Sequence, residues 1–296
     1  MINSFSIRNL QFEDIPIITN WAKIEGFAPG VGDVLIYRNT DQQGIWTACL
    51  EGKPIGCIAG VKYNPNYGFI GLFIVLEQYR GNGFGIQLWK HAINYLKDVP
   101  LIGLEAAPNR INDYKKWGFE ICSTTTRWQC ECIDELVGPN LYTDYELEGF
   151  VIQQANDLPS SGVQIYDASR ETTPRPHFLS DWLDRKEGSV SVLLDKNHIC
   201  HGFGRIRPCL LKAGKGWRIG PLLADTPPLA EMLLRRLISS HSGTILIDTP
   251  GLNPYSKYLL ESLGFSEVSR TFRMYKGIHP PVSNNQVYGL ACLELG

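Results

Sequence analysis

Arg80, Gly81, Asn82, Gly83, Phe84 and Gly85 stand between an apolar run at residues 69–76 and a helical pattern in which Ile86, Trp89, Ala92, Ile93 and Leu96 share one face. A glycine inside a helix costs about 1 kcal/mol relative to alanine. Glycines crowded at a helix start therefore signal a need for bare backbone. Without Cβ atoms, the successive N–H groups of residues 81–86 can converge, and the helix N-terminus adds roughly half a positive charge. Residues 81–90 contain no Asp or Glu, although a first helical turn favours acids. The segment reads as an anion hole for an external phosphate. A tightly packed strand-to-helix turn is the other reading it leaves open. Two features count against other phosphate loops: no Lys-Ser/Thr pair follows, as a P-loop needs, and the preceding strand belongs to a meander rather than a βαβ unit.

Other reactive side chains give weaker signals. The cysteines at 49, 57, 122, 130, 132, 200, 209 and 292 form no CxxC pair. Cys130 with Cys132, and His198 with Cys200 and His201, are close in sequence but lack ordinary zinc spacing. We expect reduced, mostly buried thiols in a cytoplasmic protein, and no metal. A balance of 28 Lys+Arg against 30 Asp+Glu gives no general reason to expect nucleic acid as a partner. The 44% hydrophobic and 20% charged composition excludes disordered and fibrous classes. No apolar run reaches the ~18 residues of a membrane helix. The opening MINSFSIRNLQFED lacks a basic region followed by a long apolar stretch, so we expect neither signal peptide nor membrane anchor.

These residues need elements to position them. In the first half the periodicity predicts a strand at 6–10 and a helix with Ile15, Ile18, Trp21 and Ala22 on one face. The EGFAPGVGD stretch reads as a loop, and a meander follows at 45–50, 55–63 and 69–76. After the glycine-start helix come a strand at 101–106, a short helix at 112–117 and a long last strand at 120–132. This order implies an α+β fold. The second half repeats part of it, with Gly118-Phe119 matching Gly264-Phe265 and Arg127 matching Arg273 at a constant offset. A repeat of half the chain points to duplication rather than a solenoid of ~20–50-residue units. The expected division is a catalytic domain at 1–135, a linker at 136–160 and a second domain at 161–296.

With Arg80, Gly83 and Gly85 in place, and Tyr114 four residues ahead of Gly118-Phe119, residues 3 to about 133 resemble the GNAT superfamily of acyl-CoA-dependent N-acyltransferases. The remainder, through HGFGRIRP, GWRIGPLLAD and RTFRMYKG with the closing VYGLACLELG, looks like the C-terminal domain of a bacterial two-domain group. The resemblance implies tandem GNAT folds, each a mixed, mostly antiparallel splayed sheet flanked by helices. It also implies an N-acetyltransferase with acetyl-CoA as co-substrate and an amine-bearing acceptor of small-molecule or peptide type. No nucleic-acid or membrane partner is expected, and the state would be monomer or homodimer.

On this resemblance, backbone groups near Ile74 and Val75 pair with the pantetheine amides, and the amides of Gly81, Asn82, Gly83, Phe84, Gly85 and Ile86, beside Arg80, hold the pyrophosphate. Tyr114 would protonate the leaving thiolate, since a phenol is protonated at neutral pH yet can transfer its proton. The Asn that usually precedes that tyrosine by seven residues is displaced to Asn109, and position 107 is Ala. Residues 68–76 hold no ionisable group to act as base. Glu25, Asp33 and Glu105 are the nearest candidate acids for the acceptor, and a solvated or capping role is open for each. The second half has Leu260 where the tyrosine would recur and Asp225-Thr226-Pro227-Pro228 where the glycines would. Its prolines lack N–H donors and its aspartate would repel phosphate, so that half reads as a degenerate repeat shaping the acceptor pocket. His177 and His201 are its candidate lining residues. Two further readings stand beside the enzyme: a non-catalytic acyl-CoA sensor, and an aminoacyl or peptidyl transferase with tandem halves.

Overall fold

The computed structural model describes residues 4–132, 139–143, 147–154, 160–278 and 284–296. The first half runs β1 (Phe5–Asn9), α1 (Ile15–Glu25), α2 (Asp33–Thr40), β2 (Ile45–Leu50), β3 (Lys53–Asn64), β4 (Tyr67–Val75), α3 (Phe84–Tyr95), β5 (Leu101–Ala106), α4 (Ile111–Lys115) and β6 (Glu120–Cys132). The second runs β7 (Phe150–Gln154), α5 (Ser160–Ala168), α6 (Pro176–Leu183), β8 (Ser189–Asp195), β9 (Cys200–Leu210), β10 (Lys215–Ala224), α7 (Pro227–Ile238), β11 (Gly243–Pro250), α8 (Ser256–Ser262), β12 (Ser266–Lys276) and β13 (Val287–Gly289). No helix among the described residues is long and apolar enough to cross a membrane.

The helices follow their apolar faces. α3 buries Leu88, Trp89 and Ala92 against the sheet, and a large side chain so placed contributes about 1.5–3 kcal/mol. α1 stops at Gly26, whose left-handed φ of 84° makes a glycine C-cap. The sequence pattern gives no helix at 33–40, yet α2 forms there. Its tertiary packing decides this: Val34, Ile36 and Tyr37 are buried together with Phe178 and Trp182 of α6.

The α+β, mostly antiparallel character is as expected, but the two sheets are not separate. All strands join one sheet in the order β1-β2-β3-β4-β5-β12-β6-β11-β10-β9-β8-β7, with β13 added to β10. β6 follows β5 in the chain but pairs with β11 and β12, while β12 follows β11 but pairs with β5 and β6. The halves have exchanged strands. β7, inside the stretch expected to be linker, pairs with β8 and forms the far edge of the sheet.

Arginines at equivalent repeat positions pin this exchange. Arg127 on β6 grips Asp248 on β11 through Nε–Oδ1 at 2.7 Å and Nη2–Oδ2 at 3.0 Å, and Arg218 on β10 adds a contact of 2.7 Å to the same carboxylate. Arg273 on β12 reaches Glu105 on β5 at 2.6 Å, where Thr125 and Thr271 also donate at 2.9 Å each. Each pair thus ties one half to the other.

Burial alone would raise the Asp248 carboxyl, but Arg127 and Arg218 outweigh it and hold it down to about 2. An acid with a lowered folded pKa stabilises the fold above its unfolded pKa of about 3.9 and loses that contribution as pH falls toward the folded value. Removing one partner of such a buried cluster costs about 3–5 kcal/mol. Asp248→Asn is therefore expected to lower stability in urea by about that amount at pH 7. The gap to wild type should close as pH falls from about 4 to about 2. Equal urea midpoints for the two proteins at pH 7 would show that Asp248 does not pin the seam.

Candidate active site

β4 and β5 run parallel, but only Tyr67–Ile70 pairs with Leu101–Leu104. Beyond Ile70 the strands part. A bulge helps turn β4 away: Cys57 faces Ile74 and Ala59 faces Gly71, so Leu72 and Phe73 share one opposing residue. Leu72 takes a left-handed φ of 46° there, and its carbonyl accepts from Cys57 Sγ at 3.3 Å. A cavity of about 620 Å³ opens in the gap, walled by β4, β5, the α1–α2 loop, β12 and residues 293–294.

Ile74 and Val75 lie on this wall. Ile74 pairs with Cys57 on β3. Leu76 N–H donates to Ile55 O at 3.0 Å, so strand alternation turns the Val75 peptide groups toward the gap. There the Val75 carbonyl accepts from Arg80 Nε at 2.8 Å. Arg80 also meets Glu25 Oε1 at 2.6 Å, which fixes the arginine across the cavity mouth.

The glycine turn follows directly. Gly81 and Gly83 have φ of 79° and 81°, and a Cβ on either would meet nothing within 4 Å. Backbone conformation, rather than crowding, demands glycine at both. Gly83 caps α3, and no side chain caps the helix. Asn82 instead turns inward, donating from Nδ2 to the carbonyls of Tyr79 and Arg80. Phe84 stacks on Phe5 at 4.9 Å and holds the turn to the sheet. None of the N–H groups of residues 81–86 meets an acceptor among the described residues. Gly81 and Gly85 line the cavity; Ile86 is exposed.

Tyr114 on α4 reaches the cavity from the β5 side. Its ring packs on Trp89 at 5.1 Å and Phe119 at 6.5 Å, and its hydroxyl has no hydrogen-bond partner among the described residues. Burial raises its pKa, an effect that nearby Arg110 only reduces, so the phenol keeps its proton at neutral pH. Ala107 and Asn109 line the same wall.

The candidate acids separate clearly. Glu25 lines the mouth, paired with Arg80. Glu105 lines the floor but is taken up by Arg273, Thr125 and Thr271. Asp33 does not line the cavity. It is buried at the start of α2, where Arg207 contacts both its oxygens at 3.0–3.3 Å and Gly30 N–H donates at 2.9 Å. Burial would raise this carboxyl, but Arg207 keeps it lowered. Its role is to bind the α1–α2 loop to β9. His177 is exposed, and His201 sits on Asp225 at 2.8 Å; neither lines the cavity.

Sequence reasoning missed Arg127 of the first half as a lining residue, and with it the second half's contribution, Thr271 and Glu294 among others. Arg127 spans the cavity wall with Nη1 donating to Gly26 O at 3.1 Å. Thr271 comes from the exchanged β12. Glu294 comes from the segment after β13. The Arg127–Arg273 repeat was the available signal for the first two.

The corresponding gap in the second half is closed. β10 and β11 pair in parallel only at Trp217–Ile219 with Ile245–Ile247, then part as β4 and β5 do. β13 fills the space, pairing Leu222 with Gly289 and Leu223 with Val287, while Leu290 N–H donates to Asp248 O at 2.8 Å. Leu260, at the position matching Tyr114, is buried in the core. α7 begins with prolines after Thr226, and Asp225 beside it is engaged by Tyr166, Arg170 and His201.

Known proteins match this geometry. A model described as "Acetyltransferase (GNAT) family" matches residues 12–119, and one described as "Acetyltransferase (GNAT) domain" matches residues 163–289. The chain is 28% identical over 286 residues to the holothin acyltransferase of a Pseudoalteromonas species, covering 96% of this chain and 92% of that one. It is 24% identical over 251 residues to the uncharacterized N-acetyltransferase YitH of Bacillus subtilis, covering 83% of each. In fold, a crystal structure from Pyrococcus horikoshii superposes with a TM-score of 0.78 at 22% identity, covering 100% of this chain and 97% of that one. A tandem GNAT protein from the clavulanic acid biosynthesis pathway superposes with a TM-score of 0.65 at 11% identity, covering 94% of this chain and 99% of that one. With a GNAT model on each half, and a splayed β4–β5 pair leading into the glycine turn, the chain belongs to the GNAT acyltransferase superfamily and carries two GNAT domains.

Proposed function

We propose that the chain is an N-acetyltransferase that moves an acetyl group from acetyl-CoA to a primary amine of a small molecule or peptide, and that its first half, residues 1–135, holds the catalytic site. The observation that carries this reading is the row of unpartnered N–H groups at 81–86 beside the β4–β5 gap. A diphosphate satisfies such groups, and the α3 N-terminus favours its charge. The Val75 peptide, on an edge that no strand covers among the described residues, would bind the amide-bearing arm. The gap is a strand-shaped vacancy of the kind an extended amide chain fills.

Acetyl-CoA supplies the activated acyl carbon and the thiolate leaving group. Tyr114 lines the cavity, keeps its proton and meets no hydrogen-bond acceptor among the described residues, which suits a general acid and argues against a purely sensing role. Arg80 keeps Glu25 and the β4 end together at the mouth. The second half is a degenerate repeat: β13 lies where a pantetheine would, and residues 293–294 serve the first half's cavity instead.

Two substitutions test the reading. A Cβ at Gly85 would make only ordinary contact with Phe73, at 3.5 Å, and an acid in the first turn suits the helix dipole. Gly85→Asp is therefore expected to leave thermal stability unchanged or raised. Its charge would nonetheless weaken acetyl-CoA binding at least ~tenfold, about 1.4 kcal/mol, by calorimetry. Unweakened binding would remove the diphosphate from this turn.

Tyr114→Phe should release CoA at least ~100-fold more slowly in a thiol assay with a panel of amines, amino acids, polyamines and peptides. Its acetyl-CoA affinity should stay within about twofold of wild type. Because burial raises the Tyr114 pKa above its ordinary value near 10, wild-type turnover should show no loss from phenol ionisation up to about pH 9. Equal turnover in the variant would take Tyr114 out of the mechanism.

A further inference from the structure

Three carboxylates line the cavity, and two are already committed. Glu105 takes Arg273 and two threonine hydroxyls, all within 2.9 Å. Glu25 takes Arg80 at 2.6 Å and stands 33% exposed at the mouth. Glu294 differs from both. Its side chain is 4% exposed, yet its polar neighbours are distant: Tyr37 Oη at 3.3 Å and Arg218 Nη1 at 3.7 Å. Tyr37 has one proton to donate and lies 3.5 Å from Asp33 as well. Arg218 already gives its short contact, 2.7 Å, to Asp248 and donates to the carbonyls of Phe27 and Ala28 at 3.2 Å. A buried carboxylate held only by these longer contacts and by the charge of Arg218 is costly unless a further donor meets it, and Glu294 is among the residues that line the cavity.

The backbone holds this acid close to the gap. Gly71 on β4 lies directly under residue 294, where any side chain would overlap the Glu294 carbonyl. Residues 68–76 carry no ionisable group, so the wall that has no acid of its own is faced by one from the far end of the chain.

We infer that Glu294 is the general base of this site, serving an acceptor amine that arrives protonated; the inference rests on the acetyltransferase reading above. The ammonium gives one proton to the Glu294 carboxylate. The freed lone pair forms the C–N bond to the acyl carbon, and the C–S electron pair leaves with sulfur, which takes the Tyr114 proton. The second proton lost by nitrogen as the amide forms replaces the one Tyr114 gave up, by way of solvent in the cavity. Glu294 then releases its proton to solvent, so one proton is freed per turnover. The groups around this carboxylate are Tyr37 and Asp33 from α2, Arg218 from β10 with Asp248 and Arg127 behind it, and Cys292 in its own segment.

Glu294→Gln keeps shape and removes the base. Acetyl-CoA affinity, read by calorimetry, should stay within twofold of wild type. With the panel amine that wild type uses fastest, kcat/KM should fall ~100-fold or more. Glu294→Ala should regain part of its rate with added formate, which a purely structural role would not allow. Turnover within threefold of wild type overturns the assignment. If the glutamine variant loses acetyl-CoA binding, Glu294→Asp carries the test. It keeps the charge beside Arg218, should slow turnover at least tenfold, and overturns the assignment if it matches wild type. A wild-type protein that binds acetyl-CoA but releases thiol with no amine fails at an earlier point, and overturns the acetyltransferase reading together with the base.

Discussion

Where β6 and β12 lie side by side at the centre of the sheet, each is flanked on its other edge by a strand from the opposite half, β11 and β5 respectively. Neither half can complete its sheet alone, so its register depends on the partner half. In a sheet a slip of one residue sends every side chain to the other face. Here that slip would carry Arg127 away from Asp248 and Arg273 away from Glu105, stranding buried charges at a cost of several kcal/mol each. The paired arginines thus act less as added stability than as a register lock. The lock also sets which residues of the exchanged strands, Arg127 and Thr271 among them, reach the cavity.

The same local device has two outcomes in this chain. In both halves a parallel strand pair holds for a few residues and then parts, leaving backbone groups that must find partners. In the second half the chain supplies the partner itself, since β13 pairs with β10 across the opening. In the first half Arg80 takes one carbonyl, and the remaining opening is a cavity bordered by the bare N–H groups of the glycine turn. Duplication gave two gaps, and only the one with left-handed glycines at its end stays open.

Local features of the site were legible in the sequence because they are set by neighbours in the chain. The glycines at 81, 83 and 85 announce a backbone conformation that other residues resist, and Tyr114 sits at a fixed spacing from Gly118-Phe119. Features set at long range were not legible. A strand's alternation is the same whichever strand it pairs with, so the 120–132 pattern could not say that β6 crosses to the other half. Asp33 looked like a cleft acid within a glycine-rich loop, but its partner, Arg207, lies 174 residues away. α2 has a weak pattern of its own and is held by α6. Glu294 had no sequence signal at all, because its place depends on the exchange and on β13 together.

The segment from 287 to 296 joins these threads. Val287–Gly289 seals the second gap, Leu290 bonds to the Asp248 carbonyl at the centre of the seam, and Glu294 lies on Gly71 in the first gap. Further on, the Leu295 carbonyl accepts from Tyr63 Oη at 3.0 Å and the Gly296 carbonyl from Arg175 at 3.2 Å, so the segment is fixed on both sides of Glu294. A shift of β13 against β10 would therefore be felt on the side of the first half's cavity where Glu294 stands. This dependence is a physical reason for the second domain to persist after its own gap has closed. The glycine turn and Tyr114 are local to the first half and need no help, whereas the wall facing β4 is built from strands and a tail that only a second half can bring.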